Sequence, residues 1–157
     1  MRQMGTFPQT VVHGDVRVDN ILFAERPGHH PVMVIDWQAI MVSNPLHDLA
    51  YLLSQSLDVE LRRAHETELV EHYHDTLGRH GVAGFTLDEC WAAYDMAVLM
   101  LFSCTLIIAG ISEPNDERSV ALGAAVLRRA SWTVSDRNLV SLLYPAAQPH
   151  VQSGAAT

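Results

Sequence analysis

VVHGDVRVDNILFAERPGHHPVMVIDW, residues 11–37, decides how this chain folds. Ile21, Leu22 and Phe23 form one apolar, β-prone run, and Val32, Met33, Val34 and Ile35 form a second. Between them lie Pro27 and Gly28, a turn signal. Two such runs around a turn predict an antiparallel hairpin, in which the start of the first strand lies beside the end of the second. Asn20 stands just before the first run and Asp36 just after the second, and Gly28 is midway between them. A hairpin centred on Gly28 therefore brings an amide oxygen and a carboxylate together at its open end. Asp15 is on the short loop leading in.

Oxygen donors of this kind suit a hard cation. Magnesium takes one or two protein oxygens and leaves the rest of its shell to phosphates and water. A further acid close by, Asp15, has the chemistry to accept a proton from a substrate hydroxyl. The spacing of Asp15 and Asn20, with four residues between them, is the spacing of the kinase catalytic loop. Each residue also has an ordinary structural reading. Asp15 and Asp19 suit turns, Asp36 suits a solvated strand end, and Asp48 suits the N-cap of the helix beginning LAYLL. Chance is a poor account of all of them in this order and spacing.

HGDVRVDN, then IDWQ, then NPLHDLAYLL resembles the aminoglycoside phosphotransferase and choline kinase superfamily, most closely its ecdysteroid-kinase-like and related bacterial branches. The resemblance runs from about residue 10 to about residue 144, with RRAHETELVEHYHDTLGRHGV and CWAAYDMAV as later shared stretches. It implies an ATP- or GTP-dependent, Mg2+-dependent transfer of a γ-phosphate to the hydroxyl of a small molecule. Acceptors in such proteins range over aminoglycosides, macrolides, amino alcohols, steroid-like alcohols and hydroxyacyl thioesters. By the same resemblance, Asp15 is the catalytic carboxylate and Asn20 and Asp36 hold magnesium on the nucleotide phosphates. His13 supports the loop from beneath. Asp48 is a buried carboxylate that holds the loop's backbone. Arg17 falls where many kinases place a cation near the transferred phosphate.

The chain has 157 residues, enough for one domain with a core, and a hydrophobic fraction of 48% that excludes disorder throughout. A net charge of −8 with no basic stripe argues against nucleic-acid and anionic-membrane partners. Residues 1–8 lack the apolar core of a signal peptide, which predicts a cytoplasmic protein. Cys90 and Cys104 lie in helix-like sequence and read as buried thiols. Lysine is absent: all 10 basic residues counted as Lys+Arg are arginines. Two-lobed kinases grip the nucleotide phosphates with a lysine on an N-terminal lobe. Twelve residues precede His13, too few for that lobe, so the expectation is a C-terminal lobe alone over residues 1–144. The competing function is a catalytically incomplete lobe, or half of a split protein, that docks on a separate N-terminal lobe.

The remaining sequence reads as helices. Residues 37–45 read as a connection, and a helix runs from Asp48 to about Leu57. Asp58 is placed to cap a helix from about Val59 to about His80, with Gly81 as its stop. Leu61, Leu69, Tyr73 and Leu77 give that helix an apolar face, and its histidines read as surface residues. Thr86 and Glu89 form a capping box for a helix to about Ala109. That helix is uncharged from Met96 to Ser112 but bracketed by Asp95 and Glu113, which favours a core helix over a membrane span. Pro114 and Asn115 mark a loop. A further helix runs from Asp116 to about Thr133, and Ser135 and Asp136 are placed to cap a last short one. Residues 145–157 read as a disordered tail. The fold class is α+β, mainly α: a catalytic β-hairpin on a helical bundle.

Overall fold

Ile21–Phe23 and Val32–Val34 pair antiparallel as strands β2 and β3, with Gly28 in the turn at φ 92°. The computed structural model describes residues 7–111 and 116–143. The hairpin register differs by one position from the one that sets Asn20 opposite Asp36. Ile21 faces Val34, and the Ile35 N–H donates to the Asn20 carbonyl at 2.9 Å. Asn20 thus faces Ile35, and Asp36 leaves the strand one residue later. The ladder continues one bond beyond the strands at the open end, which holds that end closed.

A second small sheet accompanies the hairpin. β1, Thr10–Val12, pairs antiparallel with β4, Met41–Ser43, so residues 37–45 are more than a connection. They carry a 3-10 turn at Trp37–Ala39 and then β4. The β1–β4 pair returns the chain to the start of the loop that begins at His13.

The helices follow. α1, His47–Tyr51, runs directly into a π-helical turn at Leu52–Ser56. α2 is Val59–Arg79, α3 is Leu87–Ile111, α4 is Glu117–Asp136 and α5 is Val140–Leu143. The α3 capping box forms as the sequence predicts: the Thr86 N–H donates to Glu89 Oε2 at 3.0 Å, and the Glu89 N–H to Thr86 Oγ1 at 3.2 Å. Asp116 caps α4 through the Ser119 N–H at 2.8 Å. Asp58 occupies the N-cap position of α2, but its carboxylate accepts from Arg129 Nη2 at 2.8 Å instead of capping. α4 extends through Ser135 and Asp136, so those residues end one helix and do not cap the next. The loop at Pro114 and Asn115 and the tail beyond residue 144 lie outside the described residues.

α3 packs chiefly against α1 and α4. Leu46, Ala50, Leu53, Val70, Cys90, Ala93, Tyr94, Ala97 and Val98 form the core. Cys104, read as buried, is exposed. On α2, Leu69 and Tyr73 of the apolar face read in the sequence pack partly buried against the core, with the fully buried positions beside them. Val59, Arg62, Glu66 and Val70 are buried, while Leu61 is half exposed. Arg62 Nη1 donates to Glu66 Oε2 at 2.9 Å, its Nη2 pairs with Asp136, and the Tyr94 hydroxyl donates to Glu66 Oε1 at 2.7 Å. Burying charge is tolerable here because each group has a partner. His74 is half-buried beside the Phe85 carbonyl, 2.9 Å from its Nε2, and His65, His72 and His80 are exposed. Most of α3 is long and apolar enough to cross a membrane. Its N-terminal half instead lies in the core, and Asp95 within it pairs with Arg137.

Candidate functional site

His13 joins the two arms of the site. Its Nε2 lies 2.8 Å from the Ile35 carbonyl, and its Nδ1 accepts from the Asp15 N–H at 3.3 Å. A carbonyl only accepts, so Nε2 carries the hydrogen and the ring is held in that tautomer. The ring is 98% buried, and its edge meets Trp37 with the ring centroids 4.7 Å apart. One imidazole thus ties the loop that carries Asp15 to the strand end that precedes Asp36.

Asp48 holds the same loop from the helical side. Its Oδ2 accepts from the His13 N–H at 2.7 Å and its Oδ1 from the Gly14 N–H at 2.9 Å. It is half-buried rather than fully buried, and it sits inside the first turn of α1 without capping it. Gly14 has φ 87°, and a Cβ there would meet the Ala39 carbonyl oxygen at 2.3 Å. Only glycine lets the loop lie against the 3-10 turn this closely. His47, buried on α1, adds a long contact from Nε2 to the Gly14 carbonyl at 3.4 Å.

Asp15 and Asn20 touch directly. Asn20 Nδ2 donates to the Asp15 carbonyl at 2.9 Å and to Asp15 Oδ2 at 3.2 Å. Both bonds use the NH2 end of the amide, so its oxygen keeps its lone pairs for another partner. Asp36 has φ 64° and ψ 60°, a left-handed conformation that an aspartate tolerates better than most residues but that still costs about 1–3 kcal/mol. Its Oδ2 accepts from Gln38 Nε2 at 3.4 Å. Among the described residues, no group of three or more His, Cys, Asp or Glu side chains is placed to hold a metal ion. One carboxylate and one amide oxygen suit a magnesium ion whose other ligands are phosphate and water. They would not suit a cation that relies on the protein for its full shell.

Beside Asp15 the domain opens into a cavity of about 650 Å³ between the π-turn, the end of α3 and the start of α4. Arg17 and Tyr51 line it, and both also face Asp15. Arg17 Nε is 3.8 Å from Asp15 Oδ2. Burial, and next a hydrogen bond to the Asp15 carboxylate, push the Tyr51 phenol up to about 12, so it stays an O–H donor at neutral pH. The α3 and α4 side of the lining is mainly apolar, with Ile108, Val120, Leu122, Val126 and Leu127. The sequence reading missed Tyr51 and His47. Both lie in the LHDLAYLL stretch, Tyr51 three residues and His47 one residue from Asp48, but their partners on the loop are more than thirty residues away.

The structure thus places His13, Asp15, Arg17, Asn20 and Asp48 in one connected cluster and sets Asp36 at the strand end next to it. The model of the ecdysteroid kinase-like family matches residues 3–81, which span β1 to the end of α2. The chain belongs to the ecdysteroid kinase-like family. At the family level this makes it a kinase-like phosphotransferase. No curated protein and no solved structure matches the chain. The whole loop, hairpin and Asp48 fall within the part matched to the ecdysteroid kinase-like family, whereas α3 and α4, which wall the cavity, fall outside it.

Proposed function

We propose that this protein moves the γ-phosphate of ATP or GTP to a hydroxyl of a small molecule that enters through the cavity, with residues 1–144 acting as a kinase-like C-terminal lobe. The observation that carries the reading is the Asn20 contact set. Its amide bonds Asp15, and its carbonyl bonds the Ile35 N–H beside Asp36. These contacts support a reading in which a proton acceptor, Asp15, and two oxygen donors for a cation, Asn20 and Asp36, share one corner. Asn20 and Asp36 would hold Mg2+, which when bound neutralises charge on the nucleotide phosphates. Asp15 orients the acceptor hydroxyl and takes its proton as the new O–P bond forms. The bond from the γ-phosphorus to the bridging oxygen breaks, and the nucleoside diphosphate leaves. Arg17, beside Asp15, offers a cation to the phosphoryl group in transit.

The cavity also bears on the acceptor. Its charged lining residue is Arg17, and its walls are apolar, which favours an uncharged alcohol with an apolar body over a polycation. The net charge of −8 is a property of the whole surface and does not reach this wall.

A second reading is favoured by the hairpin, where Leu22 and Met33 on one face and Phe23 and Val32 on the other are about half exposed or more. An apolar surface of this kind suits a covering element, such as an N-terminal lobe, that supplies further nucleotide contacts. The test is Mg-ATP titration by calorimetry, with turnover assayed against a panel of apolar and cationic alcohols, alone and after fusion of such a lobe. The phosphotransferase reading expects turnover in at least one form, abolished by Asp15→Ala. Nucleotide binding without turnover in any form, unaffected by Asp15→Ala, would favour the docking module.

A further inference from the structure

One polar group in the cavity has no part in the transfer described above. Gln55 lies on the π-turn, lines the cavity and is 93% buried. Its Nε2 donates to Thr105 Oγ1 at 3.0 Å, and Thr105 Oγ1 donates to the Leu101 carbonyl at 2.9 Å. A hydroxyl has one hydrogen, and the Thr105 hydrogen goes to Leu101. Thr105 can therefore only accept from Gln55, which fixes the amide with its NH2 toward Thr105. The amide oxygen, Oε1, is left with no partner among the described residues. The backbone of Gln55 is held as well: Arg129 Nη1 donates to its carbonyl at 3.4 Å while Nη2 of the same guanidinium is anchored on Asp58. Gln55 as a residue is 93% buried, and its free amide oxygen lies in the cavity lining with Ile108, Val120 and Leu127, where it can accept from a donor that enters. Gln55 follows Tyr51 by four residues, a rise of about 6 Å along the helix axis. A small molecule can span from the Asp15 end of the cavity to Gln55.

We propose that Gln55 is a specificity-determining residue whose Oε1 accepts a hydrogen bond from a second hydroxyl on an apolar acceptor, while the first hydroxyl lies at Asp15. The inference rests on the acceptor-cavity reading above. The π-turn is then a recognition element. Its wider turn sets Gln55 against Thr105 and also brings the Ser56 hydroxyl to the Val18 N–H at 3.3 Å.

The test needs no nucleotide. The full chain is titrated with 1-adamantanol and with adamantane-1,3-diol, a rigid apolar mono-ol and its diol, and followed by NMR. The expected result is that the diol binds roughly three- to tenfold more tightly, the worth of one neutral hydrogen bond, with shifts at Thr105 and at the Gln55 side-chain amide. Gln55→Met removes the preference and keeps the mono-ol affinity. Thr105→Val, which frees the amide to turn, weakens the preference, and Thr105→Ser restores it. Equal affinity of the two alcohols for the parent protein, or a preference that survives Gln55→Met, overturns the role of Gln55 and leaves the phosphotransferase reading standing. Failure of both alcohols to perturb any cavity residue overturns the role of Gln55 together with the acceptor-cavity reading.

Discussion

Asp48 shows how far single residues could be read from the sequence. The resemblance assigned it to the backbone of the catalytic loop, and its two oxygens accept the His13 and Gly14 N–H groups. Asp48→Ala leaves both donors without that partner, at about 1–3 kcal/mol each where they are shielded from water. The expected outcome is a clearly lower melting temperature by calorimetry, and a mutant that melts like the parent would reduce Asp48 to an ordinary helix residue. Gly14→Ala is expected to be at least as damaging. Its Cβ meets a backbone oxygen that has no rotamer to retreat to, and φ 87° is strained for alanine. A loss of more than about 1 kcal/mol in denaturant unfolding checks this. The spacing of His13, Asp15, Asn20 and Asp36 was legible because a short loop and one hairpin connect them. Tyr51 and His47 were not legible, because a tyrosine and a histidine in an apolar helix carry no local mark of the loop they face.

Among the elements, the hairpin and the α3 capping box were legible for the same reason: their signals lie within a few residues of each other. The β1–β4 pair was not. Each strand has three residues, and its partner is some thirty positions away, so no local pattern announces it. On α2 the apolar face was legible in Leu69 and Tyr73, which pack against the core, but its buried charges were not. Arg62 and Glu66 look like surface residues in sequence, yet they occupy the buried face with Tyr94 and Asp136 as partners. Glu66→Ala would leave the Tyr94 hydroxyl and one arm of the Arg62 guanidinium without their partner while Asp136 still pairs with the other arm, and a loss of about 1–3 kcal/mol is expected in chemical denaturation. Leu61→Ala, on the face the apolar spacing had favoured, should cost far less because Leu61 is half exposed. Asp136 adds a pH dependence. Arg63 first, and Arg62 next, hold its carboxyl below the usual carboxylate range. The depressed folded value means that its contribution is present above the unfolded pKa of about 4 and is lost as pH falls below it. Asp136→Asn should therefore be less stable than the parent near neutral pH, with the gap narrowing as thermal melts are taken to about pH 3.

For the molecule as a whole, two groups of exposed apolar residues lie near the site: those of the hairpin, and the end of α3 with the start of α4, where Leu106, Ile107, Val120 and Leu122 are about half exposed or more. The first flanks the proposed nucleotide corner and the second borders the cavity, so the proposed reaction centre lies between two uncovered apolar surfaces. The mainly helical architecture and the β2–β3 hairpin could be read from the sequence, but the cavity could not. It is lined by residues of the π-turn, α3 and α4 that are far apart in sequence, which no periodicity encodes. The account stands or falls on the corner formed by Asp15, Asn20 and Asp36. Its most direct test replaces Mg2+ with paramagnetic Mn2+ in the presence of ATP and follows the line-broadening of backbone amide resonances. The account predicts broadening centred on Asp15, Asn20 and residues 35–37, weak or absent at the far end of α2 near Arg79, and lost in both Asn20→Ala and Asp36→Asn. Broadening centred on another part of the chain, or unchanged in those two variants, would contradict it.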